Sequence, residues 1–570
     1  MRGDLVRKLA ARGLTAGLAV LSFLTCALTP ATGWGLGLIT AAAAASAVER
    51  RIRPRADLVA ESVLLAAGVL VVYQRQLTAG FSWALALTAV VLLGLVLAER
   101  PLRDAGALEI QATNLDVRSL PLWVTANLGT AILALLAGLA AGCALGLPAW
   151  SAMVVTVLLG GACAGAVLAM LRRRLRPSAG GGPVGRALRR HQPEFLLYFS
   201  APPGSEYQVT MWLPYLERIG RPFVVVLREP HFLPSIGAAT SAPVVLCPTL
   251  PALDEVMVAS LRVAFYVNHG AKNSHCIRFP QLTHVQLHHG DSDKAPSANP
   301  VSAIFDKIFV AGQAAIDRYS RAGVTIGREK FVIVGRPQVE SIEVTRDRIR
   351  DVANKVVLYT PTWTGHHADA NYCSLPVGET LVRHLLARGG TVILRAHPYT
   401  AQNPESARQL GRIEELLAAD RARTGRQHLW GAQAAARMTL VECVNRSHAL
   451  VSDVSGVISD YLFSGKPYAI TDMVGEGERF PESFPLARAG YVLRSDMDNV
   501  ETMLSLLLDE DPLVDVRREV RTDYLGDFPA DSYAEAFLTA ARGLLPHPAT
   551  PPPGQRVPVP SEPNVRMAGD

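Results

Sequence analysis

Residues 450–461 read LVSDVSGVISDY, and this stretch decides the fold of the second half of the chain. An apolar run of strand character ends at Asp453, and Ser455 and Gly456 then begin a helix. A short buried strand followed at once by a helix is typical of a parallel sheet covered by helices. The first N–H groups of such a helix, with a serine hydroxyl, form an anion site suited to a phosphate. The alternative is that Ser455 only caps the helix.

The same alternation of apolar runs and amphipathic helices extends from about residue 193 to residue 545. The earlier runs are Phe195–Ser200, Phe223–Leu227, Val244–Cys247, Val263–Val267, His284–Leu287 and Lys307–Ala311. The later runs are Val356–Tyr359, Val392–Arg395, Ala449–Ser452, Tyr468–Thr471 and Tyr491–Leu493. We therefore predict two doubly wound, Rossmann-like halves, residues 193–350 and 351–545, with a cleft between them. Ligands bind beyond the carboxyl ends of parallel strands, so functional residues should directly follow the runs.

A cluster of polar residues follows one of these runs in the stretch THVQLHHGDSDK, residues 283–294. Its members are His288, His289, Gly290, Asp291, Asp293 and Lys294. A histidine at a strand end beside a glycine is placed to act as a general base on a hydroxyl, with a nearby carboxylate to orient it. Successive strand side chains point to opposite faces, so only one histidine should face the cleft. This spacing disfavours a zinc site built from the adjacent pair.

A second polar cluster follows the run at 392–395, in the stretch ILRAHPY, residues 393–399. Arg395 and His397 can both donate hydrogen bonds to phosphate oxygens. A protonated His397 would also help a diphosphate leaving group to depart. The alternative is a structural histidine. These residues are predicted to lie near the same sheet edge as Ser455.

Weaker signals lie at the ends of two further runs and in one loop. The stretch YTPTW, residues 359–363, puts Thr360 and Thr362 at the mouth of a strand, and VGRPQV, residues 334–339, places Arg336 near the domain junction. The loop residues His366, His367 and Asp369 suggest a metal site, but a solvated loop is the simpler interpretation. The sequence has no Walker A, GxSxG, HExxH or dinucleotide fingerprint, and none of its seven cysteines forms a CxxC pair.

The first third of the chain is much more apolar than the rest. About 20 apolar residues span the hydrocarbon core of a bilayer. Six stretches are candidates: Leu14–Thr29, Trp34–Val48, Leu58–Tyr73, Phe81–Ala98, Leu122–Leu145 and Trp150–Leu171. We predict a membrane domain over residues 1–171 that serves as an anchor. Glu61 is its main internal charge, and we expect it to snorkel to an interface.

Arginines and lysines flank alternate connections of these six stretches, which predicts a cytoplasmic N-terminus and a cytoplasmic α/β part. Residues 172–192 combine arginines with Gly and Pro and are predicted to be a flexible basic linker. Residues 546–570 are Pro-rich and predicted to be disordered. The net charge of +6 comes with no nucleic-acid-binding motif, so we expect a membrane partner and no nucleic acid.

Taken together, the motifs resemble the CDP-glycerol glycerophosphotransferase family, the teichoic-acid primases and polymerases. The resemblance covers about Glu194–Leu544 and rests on HHGDSDK, YTPTW, the His397–Pro398 pair and SDVSGVISDY in this order. It departs from the family's usual Trp-His-Gly-Thr-Pro-Leu-Lys, because residues 288–294 lack the Trp, the Thr and the Pro and gain two acids.

This resemblance implies a GT-B architecture with the active site between its two Rossmann-like halves. It also implies transfer of a polyol phosphate, from CDP-glycerol or a related CDP-linked donor, to a hydroxyl with release of CMP. His289 matches the family's candidate base, and His397 and Ser455 match positions that hold the donor diphosphate. Asp453 and Asp460 belong to the supporting motif. Neither a metal nor another cofactor is expected in the site.

The resulting hypothesis is a membrane-anchored transferase that acts on a lipid-linked or polymeric cell-wall acceptor. One alternative is a GT-B glycosyltransferase that uses a nucleotide-sugar and recruits Asp453 or Glu442 to recognise the sugar. A second alternative is a non-catalytic membrane scaffold with a degenerate transferase domain, for which Asp291 and Asp293 are the best support.

Overall fold

A computed structural model describes residues 2–53, 56–77, 80–117, 123–174, 182–290, 293, 295–345, 347–365 and 371–546. The chain divides into two compact units. The first unit comprises Met1–Thr210, Pro222–Leu261 and Gly270–Arg278, and the second comprises Met211–Arg221, Arg262–His269 and Phe279–Asp570. The middle of the predicted linker and the predicted disordered tail lie outside the described residues, apart from Pro546.

Six helices form the N-terminal part of the first unit, one for each predicted membrane stretch. They are α1 (Arg2–Leu28), α2 (Thr32–Ile52), α3 (Val59–Gln76), α4 (Trp83–Ala107), α5 (Trp123–Ala144) and α6 (Ala149–Arg174). Within the described residues, three stretches are long and apolar enough to cross a membrane, namely Trp83–Gly106, Asn127–Ala144 and Ala149–Arg172. The predicted number of crossings and their orientation stay predictions.

Three glutamates of this helical part, Glu49, Glu61 and Glu99, are buried and paired with arginines. Glu61 is only 4% exposed and lies 2.9 Å from Arg12, so it does not reach solvent in the way that we expected of a snorkelling side chain. Glu99 lies 2.8 Å from Arg50 in the same manner. A buried carboxylate needs such a partner because its desolvation is costly.

The remainder of the first unit is an α/β layer. Its strands are β1 (Gln111–Thr113), β2 (Phe195–Phe199), β3 (Phe223–Leu227) and β4 (Val244–Leu246). They hydrogen-bond in the order β1-β4-β3-β2, with β1 antiparallel to β4 and the others parallel. Its helices are α7 (Pro183–His191), α8 (Tyr207–Thr210), α10 (Leu233–Ala239), α11 (Leu250–Val256) and α12 (Ser274–Ile277). The end of the predicted flexible linker is therefore a helix, because Val184 and Leu188 of α7 bury an apolar face.

The second unit contains two sets of parallel strands. The first set, in the order β5-β6-β7-β8, comprises β5 (Val263–Tyr266), β6 (Thr283–Gln286), β7 (Lys307–Val310) and β8 (Phe331–Ile333). The second set, in the order β10-β9-β11-β12-β13, comprises β9 (Val356–Thr360), β10 (Thr391–Leu394), β11 (Ala449–Ser452), β12 (Tyr468–Asp472) and β13 (Tyr491–Arg494). The predicted fold class, an N-terminal helical part followed by parallel α/β sheets of GT-B type, is confirmed.

Helices cover both sets of strands in the second unit. They are α9 (Leu213–Arg218), α13 (Gln313–Arg321), α14 (Leu375–Ala387), α15 (Pro404–Thr424), α16 (Gly431–Ala435), α17 (Leu440–Arg446), α18 (Gly456–Tyr461), α19 (Phe480–Ser483), α20 (Val500–Ser505), α21 (Val514–Leu525) and α22 (Glu535–Arg542). Ala311 and Ala314, beside β7, share one apolar core with Ile458 of α18 and Tyr524 of α21. The two sets of strands are thus held together by common packing.

Candidate active site

The histidine pair closely follows β6. His288 adopts a left-handed φ of 59°, which a non-glycine residue rarely does without support. That support comes from two hydrogen bonds: the Trp212 Nε1–H donates to the His288 carbonyl at 2.7 Å, and the His288 N–H donates to Gln286 Oε1 at 3.1 Å. Both imidazole rings stay half-buried.

A pocket opens at the carboxyl ends of β6, β7 and β8. Its walls include Trp212, His288, Gly290, Arg318 and Arg336. The carboxyl edge of a parallel sheet is where ligands bind in this type of fold. The residues that line the pocket all lie between Trp212 and Gln338, so the predicted cleft between residues 193–350 and 351–545 stays a prediction.

The His289 ring is oriented by the neighbouring strand. Its Nδ1 lies 2.7 Å from the carbonyl oxygen of Val267, which can only accept a hydrogen bond. The neutral ring therefore carries its proton on Nδ1 and its lone pair on Nε2. Burial lowers the pKa of His289, the bond to Val267 partly offsets this shift, and the charge of Arg336 lowers the pKa further. His289 is consequently neutral near pH 7, as a general base has to be.

Arg336 connects this region to the helix that starts at Ser455. It follows Gly335, whose φ of 72° turns the chain after β8. The Arg336 guanidinium donates to both carboxylate oxygens of Asp460, through Nε to Oδ1 and through Nη2 to Oδ2 at 3.1 Å. Its backbone N–H donates to the Tyr533 hydroxyl at 3.1 Å. Because both members of the ion pair are buried, this bidentate contact fixes α18 relative to β8.

Ser455 and Gly456 stand at the N-terminus of α18 and are half-buried. Within the described part of this helix, the Ser455 side chain caps none of the N–H groups. Its Oγ lies instead 3.2 Å from Oγ of Ser452. The simple capping role that we considered for Ser455 is therefore not what the structure has.

Asp453 is completely buried and organises the loops around it. Its Oδ2 accepts the N–H groups of Thr362 at 2.6 Å and Ser374 at 3.1 Å, and its Oδ1 accepts the Thr471 hydroxyl at 2.8 Å. Burial raises the pKa of Asp453 to about 6, and these hydrogen bonds limit the shift. The carboxylate thus ties together the carboxyl ends of β9, β11 and β12. Its predicted part in phosphate binding stays untested, and these contacts give it a positioning role.

His397 lies in a small aromatic cluster beyond β10. Its ring is 6.1 Å from that of Trp363 and 5.2 Å from that of Tyr399. The Tyr399 N–H donates to His397 Nδ1 at 3.1 Å, so the neutral ring carries its proton on Nε2. His397 and His289 are therefore fixed in opposite tautomers, one suited to donating a proton or hydrogen bond and the other to accepting a proton.

Arg395 and the two threonines at the end of β9 were also predicted to bind the donor, and their hydrogen-bonding environments differ. Arg395 directs Nη1 to the carbonyl oxygens of Ala434 and Met438, the second at 2.8 Å, so this nitrogen holds the chain after α16. Thr360 and Thr362 are both buried at the end of β9. Among the described residues, the Thr360 hydroxyl has no hydrogen-bond partner, which is costly unless something else binds it.

Asp293 is the one described acid of the HHGDSDK stretch, and it is nearly inaccessible to solvent. It accepts the Tyr524 hydroxyl at 2.7 and 2.8 Å and the Leu486 N–H at 3.2 Å, and it lies 3.4 Å from Arg318. These contacts hold the stretch against α21. The predicted residues Asp291 and Lys294, and His366, His367 and Asp369, lie outside the described residues. Among those described, no group of three or more His, Cys, Asp or Glu could hold a metal.

The sequence did not point to Trp212, Tyr524 or Tyr533. Each meets its partner across a long stretch of chain, and Tyr524 and Asp293 are 231 residues apart. No local pattern predicts such pairs. A tyrosine with a buried hydroxyl needs a partner, but the sequence alone does not show that the side chain is buried.

Oriented histidines and a helix start lie at the carboxyl ends of these parallel strands, which is where ligands bind in such folds. Residues 329–473 match the family described as CDP-Glycerol:Poly(glycerophosphate) glycerophosphotransferase. This match confirms the resemblance over residues 329–473. The protein is therefore a transferase of glycerophosphotransferase type.

None of the curated proteins compared with this chain matches it. Several solved structures are similar at low identity. One is the wall teichoic acid polymerase TagF, a variant soaked with CDPG, at 13% identity and a TM-score of 0.42, covering 62% of this chain and 89% of that chain. Another is S. aureus MnaA with UDP, at 15% identity and a TM-score of 0.42, covering 61% and 96%. A third is a UDP-N-acetylglucosamine 2-epimerase, at 15% identity and a TM-score of 0.41, covering 63% and 99%.

Proposed function

We propose that this protein is a membrane-anchored transferase that moves glycerol phosphate, or a related polyol phosphate, from a CDP-linked donor to a hydroxyl. The acceptor is lipid-linked or polymeric, of the kind used to build teichoic acids, and CMP is released. The observation that carries the proposal is the Arg336–Asp460 ion pair, which joins the His289 region to the start of α18. The family match over residues 329–473 supports the choice of donor.

The proposed reaction is a direct displacement at phosphorus. His289 Nε2 takes the proton of the acceptor hydroxyl, and the hydroxyl oxygen attacks the phosphorus that carries the glycerol. The bond from this phosphorus to the bridging oxygen breaks, and CMP leaves with that electron pair. Nε2–H of His397 and the first N–H groups of α18, with the Ser455 hydroxyl, stabilise the phosphoryl charge.

The proposed location is a membrane with the α/β part on its cytoplasmic side. The six long helices support the anchor, and three of them meet the length and hydropathy of a span. The arginine-rich connections support the orientation. Asp293 no longer favours the scaffold alternative, because its contacts with Tyr524 and Leu486 give it a structural purpose.

The direct test uses the full chain in lipid vesicles with CDP-glycerol and a hydroxyl acceptor, and measures CMP release that depends on the acceptor. His289→Ala should slow release about 10²–10⁴-fold, the usual contribution of a general base. The matched control is His191→Ala, because His191 is exposed on α7. Unchanged release in His289→Ala would exclude it as the base. Release with nucleotide-sugars but with no CDP-polyol would overturn the donor.

A further inference from the structure

A strand from the membrane part of the chain extends the sheet of the first unit. Strand β1 lies in the connection between α4 and α5, and it pairs antiparallel with β4. The register places Gln111 opposite Leu246, Ala112 opposite Val245 and Thr113 opposite Val244. An edge strand needs such a partner or another cover, because its free N–H and C=O groups otherwise pair with other chains.

Asn114 fixes the end of this added strand. It adopts a left-handed φ of 57°, and its Nδ2 donates to the carbonyl oxygens of Gly237 at 3.0 Å, Thr240 at 2.7 Å and Ala242 at 3.2 Å. These carbonyls lie at and just beyond the C-terminus of α10, where a helix leaves its last carbonyls without internal partners. The Asn114 side chain thus caps the C-terminus of α10 and connects β1 to this helix.

Next to Asn114, the Thr113 side chain packs directly against Gly237 of α10. A Cβ added to Gly237 would lie 2.5 Å from Cγ2 of Thr113, so α10 approaches β1 to a distance that only glycine permits. Threonine is branched at Cβ and cannot easily turn away. Strand pairing, the Asn114 amide and this contact are three separate reasons for β1 to stay in place.

We infer that residues 108–114 are a clamp that positions the α/β part of the first unit against the end of α4. Only four Cα–Cα steps separate Ala107 from Gln111, a reach of about 14 Å. The other connection, from Arg174 of α6 to Gly182, has eight steps and a reach of about 29 Å. With the clamp, the α/β part of the first unit is attached to the helical part at two points, through residues 107–111 and through residues 174–182. Without it, only the longer connection remains. Asn114 is a positioning residue in this arrangement.

The functional consequence rests on the proposed function. An acceptor held in the bilayer meets the enzyme at a concentration set by the tether, which falls roughly as the −3/2 power of its length. Lengthening the reach from about 14 to about 29 Å should lower transfer to a bilayer acceptor about threefold. Transfer to a water-soluble acceptor with the same hydroxyl-bearing head group should not change, because it does not depend on the distance to the membrane.

The first arm of the test measures disulfide cross-linking in the protein without substrates. Ala112→Cys with Val245→Cys should form a disulfide on oxidation, because these residues face each other in the register. Thr113→Cys with Leu246→Cys is the matched control and should not, since Leu246 lies opposite Gln111. The seven natural cysteines are buried and should not interfere. Adding Asn114→Asp should slow the first cross-link severalfold. Failure of the first pair to cross-link, or an unchanged rate with Asn114→Asp, would overturn the clamp.

The second arm measures transfer from CDP-glycerol to the two acceptors, by the full chain in vesicles. Asn114→Asp should lower the ratio of bilayer to soluble transfer about threefold, and oxidation of the 112–245 cysteine pair should restore it. Asp116→Asn, an exposed neighbour, is the control and should leave the ratio unchanged. An equal loss on both acceptors would overturn the positioning role. A wild-type protein inert to both acceptors would refute the proposed function, and the cross-linking arm would still decide whether the clamp exists.

Discussion

Replacing Asp453 with asparagine should make the protein more stable near neutral pH and remove part of its pH dependence. The structure supplies the reason, because the side chain is 0% exposed and its pKa is raised from 3.8 to about 6. Between these two pH values the folded protein holds a proton that the unfolded chain has lost. The contribution of this carboxyl to stability is thus complete below pH 4 and is lost as the pH rises through 6.

The size of the effect follows from the shift. A difference of about two pKa units corresponds to about 3 kcal/mol. Asparagine can keep the surrounding hydrogen bonds, since its oxygen can accept from Thr362 and Ser374 while its NH₂ group donates to the Thr471 hydroxyl. The variant should therefore resemble the wild type at pH 4 and exceed its stability at pH 7.

Thermal unfolding of wild type and Asp453→Asn, measured from pH 4 to pH 7.5, tests this prediction. The melting temperature of the variant relative to wild type should rise by roughly 6 °C over this range, taking about 2 °C per kcal/mol. Asp453→Ala separates charge from hydrogen bonding, because it leaves three donors unsatisfied and should destabilise at every pH by about 3 kcal/mol or more. A difference between wild type and Asp453→Asn that does not change with pH would refute the reasoning.

Three further outcomes are expected. Burial lowers the pKa of His289 from its ordinary value of 6.5. In the pH profile of kcat/KM for transfer, the loss of activity on the acid side should therefore have its midpoint below pH 6.5, and a midpoint above pH 6.5 would contradict the assignment of His289 as the base. Asp460→Asn leaves the Arg336 guanidinium buried without its counter-charge and should cost about 3–5 kcal/mol in urea unfolding, whereas the double change Arg336→Met with Asp460→Leu should cost less. Gly312→Ala places a Cβ in steric conflict with the Asp523 carbonyl oxygen and should lower stability by about 1–3 kcal/mol, and equal stability of the two proteins would contradict this.

Most strands of the α/β part were predictable because their signal is local, whereas the three-residue strands β1 and β8 were not among the predicted runs. The stretch 450–461 predicts a strand that ends near Asp453 and a helix from Ser455, and the structure has β11 over Ala449–Ser452 and α18 over Gly456–Tyr461. Buried parallel strands are nearly continuous apolar runs, and the polar residues that follow them mark the carboxyl edge. The positions of His289, His397 and Ser455 at strand ends or helix starts follow from the same pattern.

The use of each polar side chain was not predictable, because it depends on residues distant in sequence. Arg395 is predicted as a phosphate ligand, and the structure adds a structural role, because Ala434 and Met438 supply carbonyl oxygens to its Nη1. Asp293 looks like an added charge in a degenerate motif until Tyr524 is found to donate to it. In both cases a charged side chain has a structural partner that only the folded chain brings near.

Strand β1 also constrains the topology of the N-terminal helical part in a way that hydropathy cannot. Its three residues have intermediate burial and carry too little pattern to be recognised as a strand. Because β1 pairs with β4, the connection between α4 and α5 lies on the same side as the α/β part of the first unit. Helix α6 must end on that side too, since the chain continues from it into α7. If α5 and α6 both cross the bilayer, they form a hairpin whose tip, residues 145–148, lies on the opposite face. Arg100 and Arg103 in the last turns of α4 and the arginines at the end of α6 then fall on one side, in agreement with the positive-inside rule.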